Sequence, residues 1–324
     1  MRNIDSTDEY SPGQDNVRLS IFDFHHPVFP ISAAIAVVVS GLVLSMPGPA
    51  SEFLLSLRNQ LMDSFDWFFS LAVSLITIFI LGLCVSPLGR IKLGGQAATP
   101  EFGYVSWICM LFSAGVGIGM TFYGAAEPLA YYTGWYGTPF NVEANTAAAE
   151  NLALGATLFN WGIGPWSVYA LVGLGIAYFT LNRGLPMAPR SVLHPVLGRH
   201  TWGWPGHIVD ALAILATVFG LATSLGLGAR QAASGLSFLF GMDSGLVTQI
   251  GFITIIAIVT VASVVRGLDR GIRVLSNFTM ALAATLLAYI LLVGPTQSIL
   301  LSYGDAVAQY IGAYLPLSNF IGRD

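Results

Sequence analysis

The chain has 324 residues, of which 55% are hydrophobic and only 9% charged, and its mean hydropathy is +0.71. A soluble globule carries about a quarter charged residues, so that class is excluded and the chain reads as a membrane protein. A net charge of −4 and widely scattered basic residues exclude nucleic acid as a partner.

The polar head, MRNIDSTDEYSPGQDN, lacks the basic start, apolar core and small-residue cleavage site of a signal peptide and reads as a solvated tail. After it come seven apolar windows long enough to cross a hydrocarbon core of about 30 Å. They cover roughly residues 28–46, 68–88, 103–125, 151–180, 208–239, 247–265 and 274–294. The fourth and fifth exceed what an upright helix needs, which predicts tilt, bending or extension into water. With the N-terminus in the cytoplasm, the inner connections hold Arg90, Lys92, Arg183, Arg190, Arg199, Arg266, Arg270 and Arg273, whereas the outer connections hold only Arg58. That asymmetry obeys the positive-inside rule and leaves residue 294 outside. Cys84 and Cys109 fall in apolar spans, where small-hydrophobe packing is expected and no disulfide framework is implied.

The third window contains SAGVGIGMTFYGAAEPLAYY, Ser113 to Tyr132. Gly115 and Gly119 have the spacing of a close helix contact, but Gly115, Gly117 and Gly119 alternate and cannot share one narrow stripe at about 100° per residue. Alternation favours unwinding, which at membrane depth is tolerated only where the backbone lines a protein-filled or watery cavity, as at a substrate or ion site. The phosphate-loop likeness is superficial, because no Lys-Ser/Thr follows. Gly124 and Pro128 predict a break at the outer end, with Glu127 read either as a vestibule charge or as a local cap.

In the fourth window, LFNWGIGPWSVYALVG, Pro165 removes a backbone donor, and Gly162 and Gly164 weaken the same turn, so a bend is expected. On a continuous helix Trp161, Trp166 and Tyr169 would fall at about 0°, 140° and 80°, on one side. Aromatics there are either interfacial anchors or the walls of a cavity. Walls of electron-rich rings suit a quaternary ammonium, which offers no hydrogen-bond donor and is held by cation–π attraction. The fifth window carries a smooth stripe, Gly220, Ser224 and Gly228, expected to pack, with Thr217, Thr223 and Ser224 offering hydroxyl oxygens. Arg230 near its outer end is a functional candidate or a snorkelling charge. His194, His200 and His207 lack ligand-like spacing, Asp210 and Asp269 read as end-of-helix or loop charges, and no nucleophile with a base emerges, so catalysis has no support and the chain is not read as an enzyme. Residues 296–314 repeat apolar positions at helical spacing, which predicts an amphipathic helix on the outer surface.

SAGVGIGMTFYGAAEPL and NWGIGPWSVY resemble the glycine-rich third helix and the aromatic fourth helix of the betaine/carnitine/choline transporter family, and TVFGLATSLGLGARQAASGL is similar to its fifth. The resemblance runs from about Pro27 to the chain end. It implies an all-α membrane protein, a multi-span helical bundle with a LeuT-type inverted-repeat core of which only the first repeat is present. On that reading residues 1–26 form a cytoplasmic tail, 27–90 two peripheral helices, 91–294 the first five-helix repeat and 295–324 the outer amphipathic helix and truncated end. It further implies a homotrimer in the cell (inner) membrane, moving a quaternary ammonium substrate with sodium or a proton as coupling ion and no bound cofactor. Trp161, Trp166 and Tyr169 then match three walls of an aromatic box, and Gly115, Gly117 and Gly119 the unwound substrate-binding stretch. Ser113 and Val116 match half of a sodium site, and Thr217 one hydroxyl of a second, where Leu221 replaces the other hydroxyl of the family. Glycine at 119, where choline carriers resemble a carboxylate variant, implies preference for a betaine-like zwitterion. Because such transporters bind at the interface between halves, the chain alone is expected not to perform coupled transport. A seven-helix receptor is disfavoured by the inside N-terminus and by Lys92, the only lysine, lying in a loop; a non-transporting assembly partner is the remaining alternative.

Overall fold

The computed structural model describes residues 10, 13–19, 22–115, 117–135 and 137–320. It is a predominantly helical, multi-span architecture. Its helices are α1 (Val28–Ser45), α2 (Pro47–Val85), α3 (Tyr104–Gly115), α4 (Ile118–Thr133), α5 (Ala147–Trp161), α6 (Ile163–Ala177), the short α7 (His194–Leu197), α8 (Trp204–Phe240), α9 (Leu246–Val265), α10 (Arg273–Val293), α11 (Thr296–Gly312) and α12 (Tyr314–Phe320). Among the described residues six spans are long and apolar enough to cross a membrane, with α5 and α6 taken as one, and the bent pair α3 and α4 makes a seventh. Large side chains such as Val37, Ile78, Ile258 and Leu292 stand exposed on these helices, as lipid-facing surfaces require.

Two compact units divide the chain. One comprises Met1–Ala98 and Gly164–Gly220. Here the supposed tail is partly ordered: β1 (Asn16–Leu19) and β2 (Phe22–His25) form an antiparallel hairpin in the register Asn16↔His25 to Leu19↔Phe22. The second apolar window belongs to a helix of 39 residues that starts at Pro47, well before residue 68. Pro47 occupies the first helical turn, where its missing N–H costs nothing, and no proline after Pro49 interrupts the run. At about 1.5 Å per residue α2 is close to 60 Å long, so its charged first half, with Arg58 and Asp63, extends past the hydrocarbon.

The other unit comprises Thr99–Ile163 and Leu221–Asp324. Helix α5 begins at a Thr146 cap whose Oγ1 accepts from the Ala149 N–H at 3.3 Å. Its buried Ala149, Ala153, Gly155 and Ala156 form a smooth face that admits α4 and α11 at short range. The core here gathers Tyr131, Ala153, Ala156 and Leu317. The helix expected beyond residue 295 exists as α11, and it packs on α5 with Ala306 and Tyr310 buried. Helices α3 and α10 are tied by Ser113 Oγ donating to the Ser276 carbonyl at 3.2 Å and Asn277 Nδ2 donating to Ser106 Oγ at 3.1 Å. Of the small-residue stripe, Gly228 does meet a neighbour, Ile118, whereas the Cβ position of Gly220 is open.

Candidate substrate and ion site

The glycine-rich window is broken as its alternation predicts. Helix α3 ends at Gly115, α4 starts after Gly117, and their axes differ by 61°. The Gly117 N–H donates to the Gly115 carbonyl at 3.0 Å, outside any helical pattern. Gly117 is extended (φ −91°, ψ −175°) and its Cβ position is open, so neither backbone nor packing demands glycine there. Val116, a candidate ion ligand, lies outside the described residues.

The break expected at Pro128 is absent, because α4 runs on through that proline to Thr133. It stops at Gly134, whose φ of +77° suits glycine, with the Trp135 N–H donating to the Ala130 carbonyl at 2.8 Å and the Gly134 N–H to Tyr131 at 3.3 Å. That continuation carries Glu127 into the protein, where it is 6% exposed and so neither a vestibule charge nor a cap. Trp161 Nε1 donates to Glu127 Oε2 at 2.6 Å, and Asn160 Nδ2 donates to Oε1 and, at 3.0 Å, to the Tyr131 hydroxyl oxygen. Trp161 also stacks on Tyr123, with centroids 6.0 Å apart. A Cβ on Gly119 would sit 3.6 Å from Trp161 Cη2. The structure therefore brings Gly119 and Trp161 together, and adds Glu127, Asn160 and Tyr123 around them.

The expected bend in the fourth window is an interruption at Gly162 (φ −89°, ψ −140°) rather than a kink at Pro165. A Cβ there would lie 2.4 Å from the Leu158 carbonyl and 3.0 Å from the Tyr310 hydroxyl, which only glycine avoids. The Ile163 N–H released by the interruption donates to Tyr310 Oη at 3.1 Å. Because the helix stops between Trp161 and Trp166, reckoning all three aromatics on one continuous helical face does not apply. Trp166 and Tyr169 share α6 in the other unit, ring centroids 5.8 Å apart and edge to face, with Tyr169 exposed. Ser113 Oγ is engaged with Ser276, and Thr217 Oγ1 donates to the Ala213 carbonyl at 2.8 Å.

A second polar cluster was not foreseen. Arg190 and Asp210 are 4% and 7% exposed and paired: Arg190 Nε donates to Oδ2 at 2.5 Å and the Arg190 backbone N–H to Oδ1 at 3.0 Å. Asp210 is thus a buried counter-ion, not an end-of-helix or loop charge. Asp269, the other charge so read, has its side chain outside the described residues. Arg190 Nη2 lies 2.9 Å from His25 Nε2 and Nη1 3.3 Å from His207 Nδ1, while Tyr10 stacks on Trp202 at 4.5 Å. Burial and the Arg190 charge lower the His25 pKa from 6.5, and burial with the Asp15 carboxylate nearby pushes the Tyr10 hydroxyl up to about 12. A cavity of about 600 Å³ lies here, lined by Tyr10, His25, Met187, Arg190, Asp210 and Thr217 among others. Nothing local in the sequence announced it, since the partners come from the tail, a loop and the start of α8.

Apolar spans, a broken helix and a buried carboxylate–indole pair define a multi-pass helical membrane protein with one span interrupted along its length. The profile for "BCCT, betaine/carnitine/choline family transporter" matches residues 27–323. The chain is 51% identical over 322 residues to glycine betaine transporter 1 of Vibrio parahaemolyticus, covering 99% of this chain and 61% of that relative. It is 47% identical to a glycine betaine/proline/choline/ectoine transporter of the same species (99% and 57% covered), and 42% identical to the glycine betaine transporter OpuD of Bacillus subtilis (89% and 55%). The chain belongs to the betaine/carnitine/choline transporter family, a family of transporters rather than enzymes. It spans a little over half the length of the curated relatives it matches.

Proposed function

We propose that the protein acts in secondary transport of quaternary ammonium osmolytes, with glycine betaine-like zwitterions preferred over choline or carnitine, at the cell membrane with the N-terminus in the cytoplasm. The observation that carries this reading is the break between α3 and α4 beside Gly119, which lies against the indole of Trp161. An unwound backbone supplies dipoles for a carboxylate or ion, and an aromatic face suits the methylated ammonium. The names of the relatives agree with that chemistry. On the family resemblance Trp166 and Tyr169 supply further aromatic faces, and Gly115 and Gly117 flank the break between α3 and α4. On the same resemblance Ser113 and Val116 supply backbone oxygens to one sodium position and Thr217 a hydroxyl to a second; coupling to sodium or to a proton drives accumulation. The test is uptake of labelled glycine betaine by proteoliposomes holding the intact gene product, under an imposed sodium gradient and, separately, a proton gradient. Gradient-driven uptake abolished by Trp161→Ala and by Trp166→Ala is the expected result. Uptake insensitive to both substitutions, or no uptake of any quaternary ammonium under either gradient, sinks the proposal.

A further inference from the structure

Glu127 is a carboxylate in mid-helix, buried within a segment that has every reason to avoid charge. A carboxylate at membrane depth is costly unless a function keeps it there. Its position rules out the ordinary uses: it lies nine residues into α4, too far for an N-terminal cap, and seven before the Gly134 stop. Both oxygens are instead occupied by neutral donors, Asn160 Nδ2 on Oε1 and Trp161 Nε1 on Oε2. An indole has one donor and no acceptor, so the bond from Nε1 occupies that donor and constrains the rotation of the ring about its stem. The opposite, benzenoid end of that ring sits over Gly119, where the missing Cβ leaves contact distance. Polar edge and apolar edge are thus each held, by two residues eight apart on α4.

We propose that Glu127 is a positioning residue for Trp161: its carboxylate clamps the indole N–H and thereby sets both the placement and the electron density of the face offered to a methylated ammonium. The inference rests on the reading of Trp161 as a wall of the substrate site. Hydrogen bonds to a charged acceptor are shorter and stronger than neutral ones, and the 2.6 Å separation is of that kind. Pulling density from the N–H toward the ring enriches the face that attracts a cation, in a medium of low dielectric where such polarisation is felt. A quaternary ammonium, having no N–H, depends on that face.

The intact gene product, purified in nanodiscs, supports a decisive experiment with glycine betaine as probe. Glu127→Gln keeps the size and an acceptor oxygen but removes the charge, and its Kd for betaine should rise roughly tenfold with the maximal uptake rate little altered. Trp161→Phe keeps an aromatic face and deletes the N–H; adding Glu127→Gln in that background should weaken binding by less than about twofold, since the coupled pair is already broken. Equal losses in both backgrounds, or a wild-type Kd in Glu127→Gln, overturn the proposal. An ultraviolet resonance Raman difference between wild type and Trp161→Phe reads the strength of the indole hydrogen bond directly and needs no Glu127 variant to fold. A strongly bonded N–H signature is expected, and a free one overturns the clamp. If Trp161→Ala leaves betaine binding intact while the Raman signature is present, it is the substrate reading that fails and not the bond.

Discussion

At the scale of single residues, the two polar clusters obey different physics. Gly119 sits inside α4 with ordinary contact distance to Trp161, so Gly119→Ala should leave stability unchanged or raise it by up to about 1 kcal/mol through helix propensity. The same methyl occupies the space beside the indole, so betaine affinity should fall at least several-fold in a binding titration; unchanged affinity would place the ligand elsewhere. Arg190 and Asp210 form the opposite case, a charge pair whose worth lies in not being broken. Asp210→Ala should lower unfolding stability by about 3 kcal/mol because it strands a guanidinium, whereas Arg190→Met with Asp210→Leu should cost far less, as chemical unfolding in detergent would register. His25 adds a pH dependence. Its docked pKa lies below 6.5, so the undocked hairpin binds the extra proton first; docking is at full strength above 6.5 and weakens as pH falls below that value toward the lowered one. The groups facing His25 are Tyr10, Asp15, Arg190 and His207, with Asp210 acting through Arg190, and the His207 pKa is lowered in the same sense by burial and the Arg190 charge. Faster amide exchange across residues 16–25 at pH 5.5 than at pH 7.5, after correction for intrinsic rates, is the expected signature, and His25→Gln should flatten it.

At the scale of elements, the interrupted span α5–α6 is held open by its neighbour. Tyr310 of α11 accepts the Ile163 N–H across the interruption at Gly162, and Gly155 lets α11 come close enough to do so. A Cβ at Gly155 would stand 2.9 Å from Gln309 Cβ, so Gly155→Ala should push the helices apart and destabilise by about 1–3 kcal/mol. Tyr310→Phe removes only the acceptor and should cost about 1–2 kcal/mol, with faster exchange confined to the Ile163 amide. Equal exchange in both proteins would mean another group caps that amide. The same pair of elements marks what was legible beforehand. Alternating Gly115, Gly117 and Gly119 announced a broken helix because no single helical face holds all three, and Gly162 with Pro165 announced weakness in the fourth window. The partner across the gap was hidden: Tyr310 is 147 residues away, and Glu127 and Trp161 are 34 apart, separations that periodicity does not reach. The hairpin over 16–25 escaped because four-residue strands carry no pattern of their own, and the start of α2 because charge in a helix looks like a loop when only apolarity is counted.

At the scale of the whole molecule, the spans and their charges make a prediction about orientation. Taking α3 and α4 as one span and α5 with α6 as one, the basic side chains Arg90, Lys92, Arg183, Arg190 and Arg199 fall in connections on one side, joined by Arg266 and Arg273 around the turn between α9 and α10. Connections of that composition stay in the cytoplasm, where lysine and arginine are retained during insertion. Arg58 does not offend the pattern, since it belongs to the water-reaching first half of α2 and not to a short loop. Arg230 is exposed on α8 not quite three turns before the helix ends, within reach of the far interface for a long side chain. Labelling decides the matter in intact cells. With Cys84 and Cys109 replaced, a cysteine at Gln96, between α2 and α3, should resist a membrane-impermeant maleimide until the membrane is opened, whereas one at Glu143, between α4 and α5, should react at once. Both positions are solvent-exposed, so access rather than burial sets the result. The reverse pattern would put Arg90 and Lys92 outside and turn the glycine-rich break to enter from the opposite face, and reaction at both positions would mean that α3 and α4 form a re-entrant loop instead of a span.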